Sequence, residues 1–351
     1  MSAAAPPTSV DDLVPPGRLA AFIASTPPRL FGIGPVSVAL HASDPRLAGL
    51  LGAALAHAAT DTPRPCHIRV AAIDTGMIGW PLPPTVPGTE HLRPPLDEVN
   101  LRVAGQVRAI HQAASRNWES YDPATRTGLL LTGDATLIAP WEWASPLKRH
   151  IAWATRDEAF GLLHGAVIGG ATGGVLLAGG TGMGKSTTAA AALRSGLSSA
   201  GDDLTLVCPD ADGTVVAHAA FDAVKLSDAT LRLLGASPPP GGVATGPGIA
   251  KHILPLSSLG AGRLAPRVPL RAILLPRLAG GPRSTIRPAD KAAAQRALGP
   301  VSGFVMRVAP QASFALAARV VRDLPCFALD LGDDPSEAAR SIAAFLAEWP
   351  A

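Results

Sequence analysis

A chain of 351 residues is long enough for two cores of ordinary size, and 47% hydrophobic against 16% charged residues excludes an intrinsically disordered protein. The formal charge of +3 rests on scattered arginines and only five lysines (148, 185, 225, 251 and 291), without the concentrated basic stripe of a nucleic-acid binder. Cys66, Cys208 and Cys326 lack CxxC or Cys/His spacing, which argues against a disulfide framework or structural zinc and for buried thiols in a cytoplasmic protein; no basic-then-apolar start and no 18-residue apolar run suggests a signal or a membrane span.

Residues 1–28, rich in Ala, Pro and Ser, read as a partly ordered arm with a short helix near 11–25. Short apolar runs at 36–41, 67–73 and 129–131 predict strands, and Gly32-Ile33-Gly34 is a turn because it lacks the third glycine of a dinucleotide fingerprint. Helical patterns are expected at 44–59 and 97–114, with a proline-rich loop at 79–95. Residues 29–146 form a predicted α+β domain. Trp141-Glu142-Trp143 looks like a packing cluster at its end, with peptide docking as the alternative reading, and Asn117-Trp118-Glu119 carries no legible chemistry.

The second domain, 147–351, is expected to open with a helix at 147–163. A strand at 175–177, a glycine loop and an alanine-rich helix at 186–193 follow. A hairpin spans 204–208 and 214–217, and a Pro/Gly-rich loop spans 237–248. Strands at 270–275 and 326–331 and helices at 289–298, 312–323 and 335–348 complete it.

Gly179-Gly180-Thr181-Gly182-Met183-Gly184-Lys185-Ser186 matches the Walker A pattern in full, between an apolar strand and a helix. Glycines let backbone N–H groups close around phosphate oxygens, and the helix that follows points its positive end at the anion. Lys185 supplies charge to the β and γ phosphates, and Ser186 offers its hydroxyl to Mg²⁺, so ATP and Mg²⁺ are the expected ligands; Thr187 closes the segment. Asp202 and Asp203 follow where the chain returns to a neighbouring strand, which suits carboxylates serving a metal or an acceptor hydroxyl but equally an Asp-rich turn. His164, before the strand that feeds the loop, is either a core histidine or a catalytic one. Lys225 and Lys251 are candidate phosphate or substrate contacts, and Arg271 and Arg277 are weaker ones.

The blocks Leu163-His164-Gly165-Ala166-Val167, Gly174-Val175-Leu176-Leu177, Gly182-Met183-Gly184-Lys185-Ser186 and Gly201-Asp202-Asp203 resemble the HPr serine kinase/phosphorylase catalytic domain. They look closer to the wider group of HPr-kinase-related proteins, some of which phosphorylate lasso-peptide precursors; Val224-Lys225-Leu226 and Leu324-Pro325-Cys326 also resemble that group. The specific likeness covers about residues 160–230. It implies an α/β P-loop catalytic domain of the HPr-kinase/PEP-carboxykinase kind beside a smaller N-terminal domain. It further implies that one of Asp202 and Asp203 activates an acceptor Ser or Thr hydroxyl while the other, assigned to Asp203 together with Ser186, helps hold Mg²⁺, and that His164 positions the pair. Two departures stand out: Thr187 occupies the place of a metal-binding glutamate, and no Glu-x-Arg-Gly-like segment follows, so a one-way peptide or protein kinase is expected. A small-molecule kinase of the same fold and a non-catalytic ATP sensor are the competing readings. No nucleic-acid or membrane partner is expected, and a homo-oligomer is compatible with the sequence.

Overall fold

The computed structural model describes residues 13–15, 17–62, 68–86, 98–102, 108–113, 115–237, 251–305 and 307–349, as a mixed α/β protein. Contacts divide the chain into two units that meet at Ala154 and Thr155, eight residues beyond the expected boundary, because the helix Lys148–Ala154 belongs to the first unit. Among the described residues no helix is long and apolar enough to cross a membrane.

The first unit holds strands β1 (Arg29–Ile33), β2 (Val36–Ala42), β3 (Ile68–Asp74), β4 (Glu98–Arg102), β5 (Arg108–Gln112), β6 (Asn117–Asp122) and β7 (Thr127–Thr132). They form one sheet in the order β1-β2-β3-β7-β6-β5-β4, parallel at β2-β3-β7 and antiparallel elsewhere. Where a helix was expected at 97–114 the chain instead forms β4 and β5; Val99-Asn100-Leu101 alternates apolar and polar with period two, and β5 pairs with both β4 and β6. Residues 97, 103–107 and 114 of that segment, 87–95 of the proline-rich loop, and Cys66 lie outside the described residues. The described part of the N-terminal segment is built into this unit: Leu13, Val14 and Leu19 are buried against Ala71, Ile73 and Leu129, and the helix runs Arg18–Ser25. The helical stretch at 44–59 is an α-helix, Pro45–Gly52, capped by Asp44, which continues as a 3₁₀ turn, Ala53–Ala58.

The second unit contains β8 (Gly161–His164), β9 (Ala166–Gly169), β10 (Gly174–Leu177), β11 (Ser198–Gly201), β12 (Leu204–Pro209), β13 (Val215–His218), β14 (Val224–Ser227), β15 (Lys251–Leu254), β16 (Arg267–Leu278), β17 (Thr285–Pro288) and β18 (Cys326–Leu331). Residues 161–163, expected to finish a helix, are strand instead; a turn follows Ala154, and β8 pairs antiparallel with β12. The central strands β10, β16 and β18 run parallel. Their residues alternate between two cores. Val167, Leu176 and Ile273 pack with Ala294, Leu298, Ala317 and Val320 of the helices Lys291–Val305 and Pro310–Asp323. Ile168, Val175, Leu177 and Leu274 pack with Ala189, Ala192, Ile342 and Leu346 of the helices Lys185–Arg194 and Pro335–Ala347. The result is a sheet covered on both faces, with the parallel strands ending together on one side, where open α/β sheets bind their ligands. The described hairpin β12–β13 and strand β18 fall where the sequence predicted them; residues 238–248 of the Pro/Gly-rich loop lie outside the described residues.

Candidate active site

Strand β10 leads into the glycine loop, and the helix Lys185–Arg194 leaves it with Gly184 as N-cap. Gly182 (φ 82°) and Gly184 (φ 89°) take left-handed backbone that a side chain would strain. A Cβ at Gly184 would also lie 2.6 Å from a Leu331 methyl. At Gly180 and Gly182 the space a Cβ would enter is open, as a cradle for phosphate oxygens requires. Lys185 is buried and its Nζ donates to the carbonyls of Gly179 (2.7 Å) and Gly180 (2.9 Å), so the ammonium already sits over the loop. Burial lowers its pKa, and Asp202 and Asp203 oppose that shift.

The loop opens on a cleft of about 810 Å³, lined among others by Thr181, Gly182, Ser186, Thr187, His164 and Asp203. Lys225, Ser227, Thr230, Leu233 and Lys251 also line it, as do Leu278–Gly280, Leu331–Asp333 and Pro335. The two aspartates occupy different environments. Asp202 is 3% exposed, and neither carboxylate oxygen makes a hydrogen bond of ordinary geometry among the described residues. Burial first, and then the Asp203 charge, raise its pKa to about 6; the nearby Ser186 hydroxyl and Lys185 only partly compensate. Asp203 faces the cleft, ion-paired with Lys225 and 3.3 Å from His164 Nδ1. Its backbone is left-handed (φ 68°), a conformation that costs about 1–2 kcal/mol outside glycine and here turns the side chain toward the cleft while Asp202 stays inside.

Strand pairing brings His164 to this place. Leu204 is opposite His164 in the β8–β12 register, and Gly165 N–H donates to the Asp203 carbonyl at 3.1 Å. Gly165 allows the chain to pass β10, because a Cβ there would lie 2.8 Å from the Leu177 carbonyl oxygen. The His164 backbone N–H donates to buried Ser302. Burial, with help from Lys185, Lys225 and Lys251, lowers the imidazole pKa to about 4 against the opposing pull of Asp203, so the ring is neutral above about pH 5.

Lys225 and Lys251 belong to the two-stranded ribbon β14–β15, and both reach the cleft. Thr187 Oγ1 lies 3.2 Å from Thr230 Oγ1, which is 3.1 Å from Ser227 Oγ, so Thr187 belongs to a chain of three hydroxyls at the cleft. Arg271 and Arg277 are elsewhere: Arg271 donates to the Thr172 carbonyl, and Arg277 pairs with Asp330. No protein-family model matches this chain, and no curated protein matches it. The geometry itself must carry the functional reading.

The cleft suits a nucleotide with one divalent cation. Ser186 and the orphaned carboxylate of Asp202 are oxygen ligands of the hard kind Mg²⁺ takes. No cluster of three or more His, Cys, Asp or Glu is found among the described residues. The sequence reading paired Ser186 with Asp203 as metal ligands; in the structure Asp202 is the carboxylate next to Ser186, and Asp203 is committed to Lys225. Sequence reasoning missed Ser227, Thr230, Leu278, Asp333 and Ser302. Only Ser227 leaves a local trace, as the N-cap of the helix Asp228–Leu233; the others are recognisable only after strand ends and register are known.

Proposed function

We propose that residues 155–351 form an HPr-kinase-like P-loop domain that binds ATP with Mg²⁺ and transfers the γ-phosphoryl group to a Ser or Thr hydroxyl of a peptide or protein. The supporting observation is convergence: Walker A loop, buried Asp202, cleft-facing Asp203, His164, Lys225 and Lys251 all meet around one mouth. A packing role alone does not account for a lysine and a left-handed aspartate paired at the open end of a phosphate loop.

In this reading the triphosphate lies on the loop N–H groups, and Lys185 exchanges the Gly179 and Gly180 carbonyls for phosphate oxygens. When bound, Mg²⁺ neutralises phosphate charge, held on the protein side by Ser186 and Asp202. Asp203 accepts the proton of the acceptor hydroxyl as its oxygen bonds to the γ-phosphorus, and the bond between that phosphorus and the β–γ bridging oxygen breaks, leaving its electron pair on ADP. Neutral His164 orients the Asp203 carboxylate, and Lys225 and Lys251 stabilise negative charge on the moving phosphoryl group. Thr187, hydrogen-bonded to Thr230, supplies no carboxylate for the reverse reaction with inorganic phosphate.

The test is mass spectrometry of Ser- and Thr-containing peptides, including precursor-type peptides, incubated with the protein, ATP and Mg²⁺. A single added phosphate on Ser or Thr, absent with Asp203→Asn, supports the proposal. Phosphorylation confined to a small metabolite moves the protein to the small-molecule class, and ATP binding without turnover on any acceptor makes it a sensor.

A further inference from the structure

The cleft is lined by two unlike groups of residues, and the chemistry above uses only one. Lys225, Lys251, His164 and Asp203 form the first. The second is made by the ends of β16 and β18, where Leu278 is paired in register with Leu331. Both leucines approach the loop at Gly184: methyls of Leu331 and Leu278 lie 2.6 and 3.7 Å from the position of a Cβ there. Leu331 is buried, but Leu278 is 71% exposed, the most exposed large apolar side chain among the described residues. A solvent-exposed leucine beside a phosphate loop is apolar surface without a partner.

The wall behind it is stiff and polar at its rim. The N–H groups of Ala279 and Gly280 donate to the Leu331 carbonyl, the Asp333 N–H donates to the Gly281 carbonyl, and Gly281 N–H donates to Asp333 Oδ2 at 3.1 Å. Gly280 takes a left-handed turn (φ 74°) with only Asp333 Oδ1 near its Cβ position, at 3.7 Å. Asp333 is exposed and lines the cleft. The Asp203 charge is offset by Lys225, whereas Asp333 has no ion pair among the described residues, so its carboxylate disfavours phosphate here and is suited to accept hydroxyl donors.

We infer that the end of the cleft formed by Leu278, Gly280, Leu331 and Asp333 is the nucleoside subsite, with Leu278 covering one face of a purine base and Asp333 accepting from the ribose hydroxyls. This rests on the phosphate-loop reading and adds a direction to it. The triphosphate runs from Asp333 past the loop to Lys225, which brings the γ-phosphorus to Asp203. Leu278 reads the base by apolar contact alone, so ATP and GTP bind with similar affinity, whereas the ribose is read by a hydrogen bond.

The experiment is calorimetric titration with ATP, 2′,3′-dideoxy-ATP and inorganic tripolyphosphate, each with Mg²⁺. Wild type is expected to bind ATP more tightly than tripolyphosphate. Leu278→Ser, which removes the apolar contact without adding charge, is expected to weaken ATP about tenfold, the order of burying one apolar side chain, and to leave tripolyphosphate unchanged. Asp333→Ala is expected to weaken ATP but not dideoxy-ATP, a contrast that a general loosening of the loop would not produce. Equal loss of ATP and tripolyphosphate in Leu278→Ser, or a nucleoside-selective loss in Leu233→Ser instead, would overturn the assignment. Wild type that binds tripolyphosphate and ATP equally tightly refutes the subsite while leaving the phosphate loop standing. Wild type that binds neither refutes the phosphate loop and the subsite together.

Discussion

Replacing Asp202 with Asn should stabilise the ligand-free protein while abolishing its activity. Asp202 is buried without a hydrogen-bond partner among the described residues, and burial raises its pKa from the 3.8 of an ordinary aspartate to about 6. A raised carboxylate pKa means that folding takes up a proton between these values. Stability from this group is therefore full below about pH 4 and is lost as pH rises to about 6. The rise of about two units corresponds to about 3 kcal/mol carried as a penalty at neutral pH. Asparagine carries no such penalty, so the difference in favour of Asp202→Asn should grow between pH 4 and pH 6 and then stay constant. Because the chain has two units, a single melting curve does not isolate the effect. Amide hydrogen exchange of peptides covering Leu204–Pro209 reports the unit concerned. Equal protection of both proteins from pH 5 to pH 8, or lower protection in the variant, would refute the reasoning.

The same carboxylate should place the acid limb of kcat/KM near pH 6, since under the proposed function the free protein must ionise Asp202 to take Mg²⁺; a pH–rate profile with its limb near pH 4 would instead implicate His164. Lys225→Met should lower kcat by at least about tenfold with little change in ATP affinity, because the lysine acts at the transferring group; stopped assays and calorimetry separate the two quantities. Incubation of phosphopeptide with enzyme and millimolar phosphate should release no pyrophosphate above background, given the Thr187–Thr230 hydroxyl pair. Arg149→Met should destabilise the first unit by about 3–5 kcal/mol, because it strands two buried glutamates, a loss readable by denaturant titration of its tryptophan fluorescence.

That last prediction concerns a feature the sequence did not announce. Asn117-Trp118-Glu119 had no legible chemistry, yet Glu119 accepts from Arg149 at 2.6 Å, and Arg149 and Lys148 together hold the Glu142 carboxyl well below the usual range against the effect of burial. In sequence Glu142 stands in a tryptophan cluster that suggests packing or peptide docking, not an ion pair. Such pairs are set by register across β5 and β6 and by the helix Lys148–Ala154, which local pattern does not encode.

Legibility elsewhere followed the range of the interaction. The Walker A loop, the hairpin after Asp203 and the strand Cys326–Leu331 are local patterns, and the structure forms strand and helix around them as expected. Residues 97–114 misled because alanines and spaced apolar residues imitate a helical stripe, whereas pairing with β6 decides for strand. The division of labour within Asp202-Asp203 was unreadable for a related reason. Spacing makes them equivalent, and only the left-handed turn at Asp203 and the β8–β12 register put one inside and one in the cleft.

The central claim is that the cleft at Gly179–Ser186 holds a nucleotide triphosphate whose charge is met by Lys185. Calorimetric titration of wild type and Lys185→Ala with ATP and Mg²⁺ addresses it most directly, with circular dichroism to establish that both are folded. Saturable binding in wild type and none at the same concentrations in folded Lys185→Ala is the predicted result. Binding of equal affinity in both, or no binding to wild type, contradicts the account.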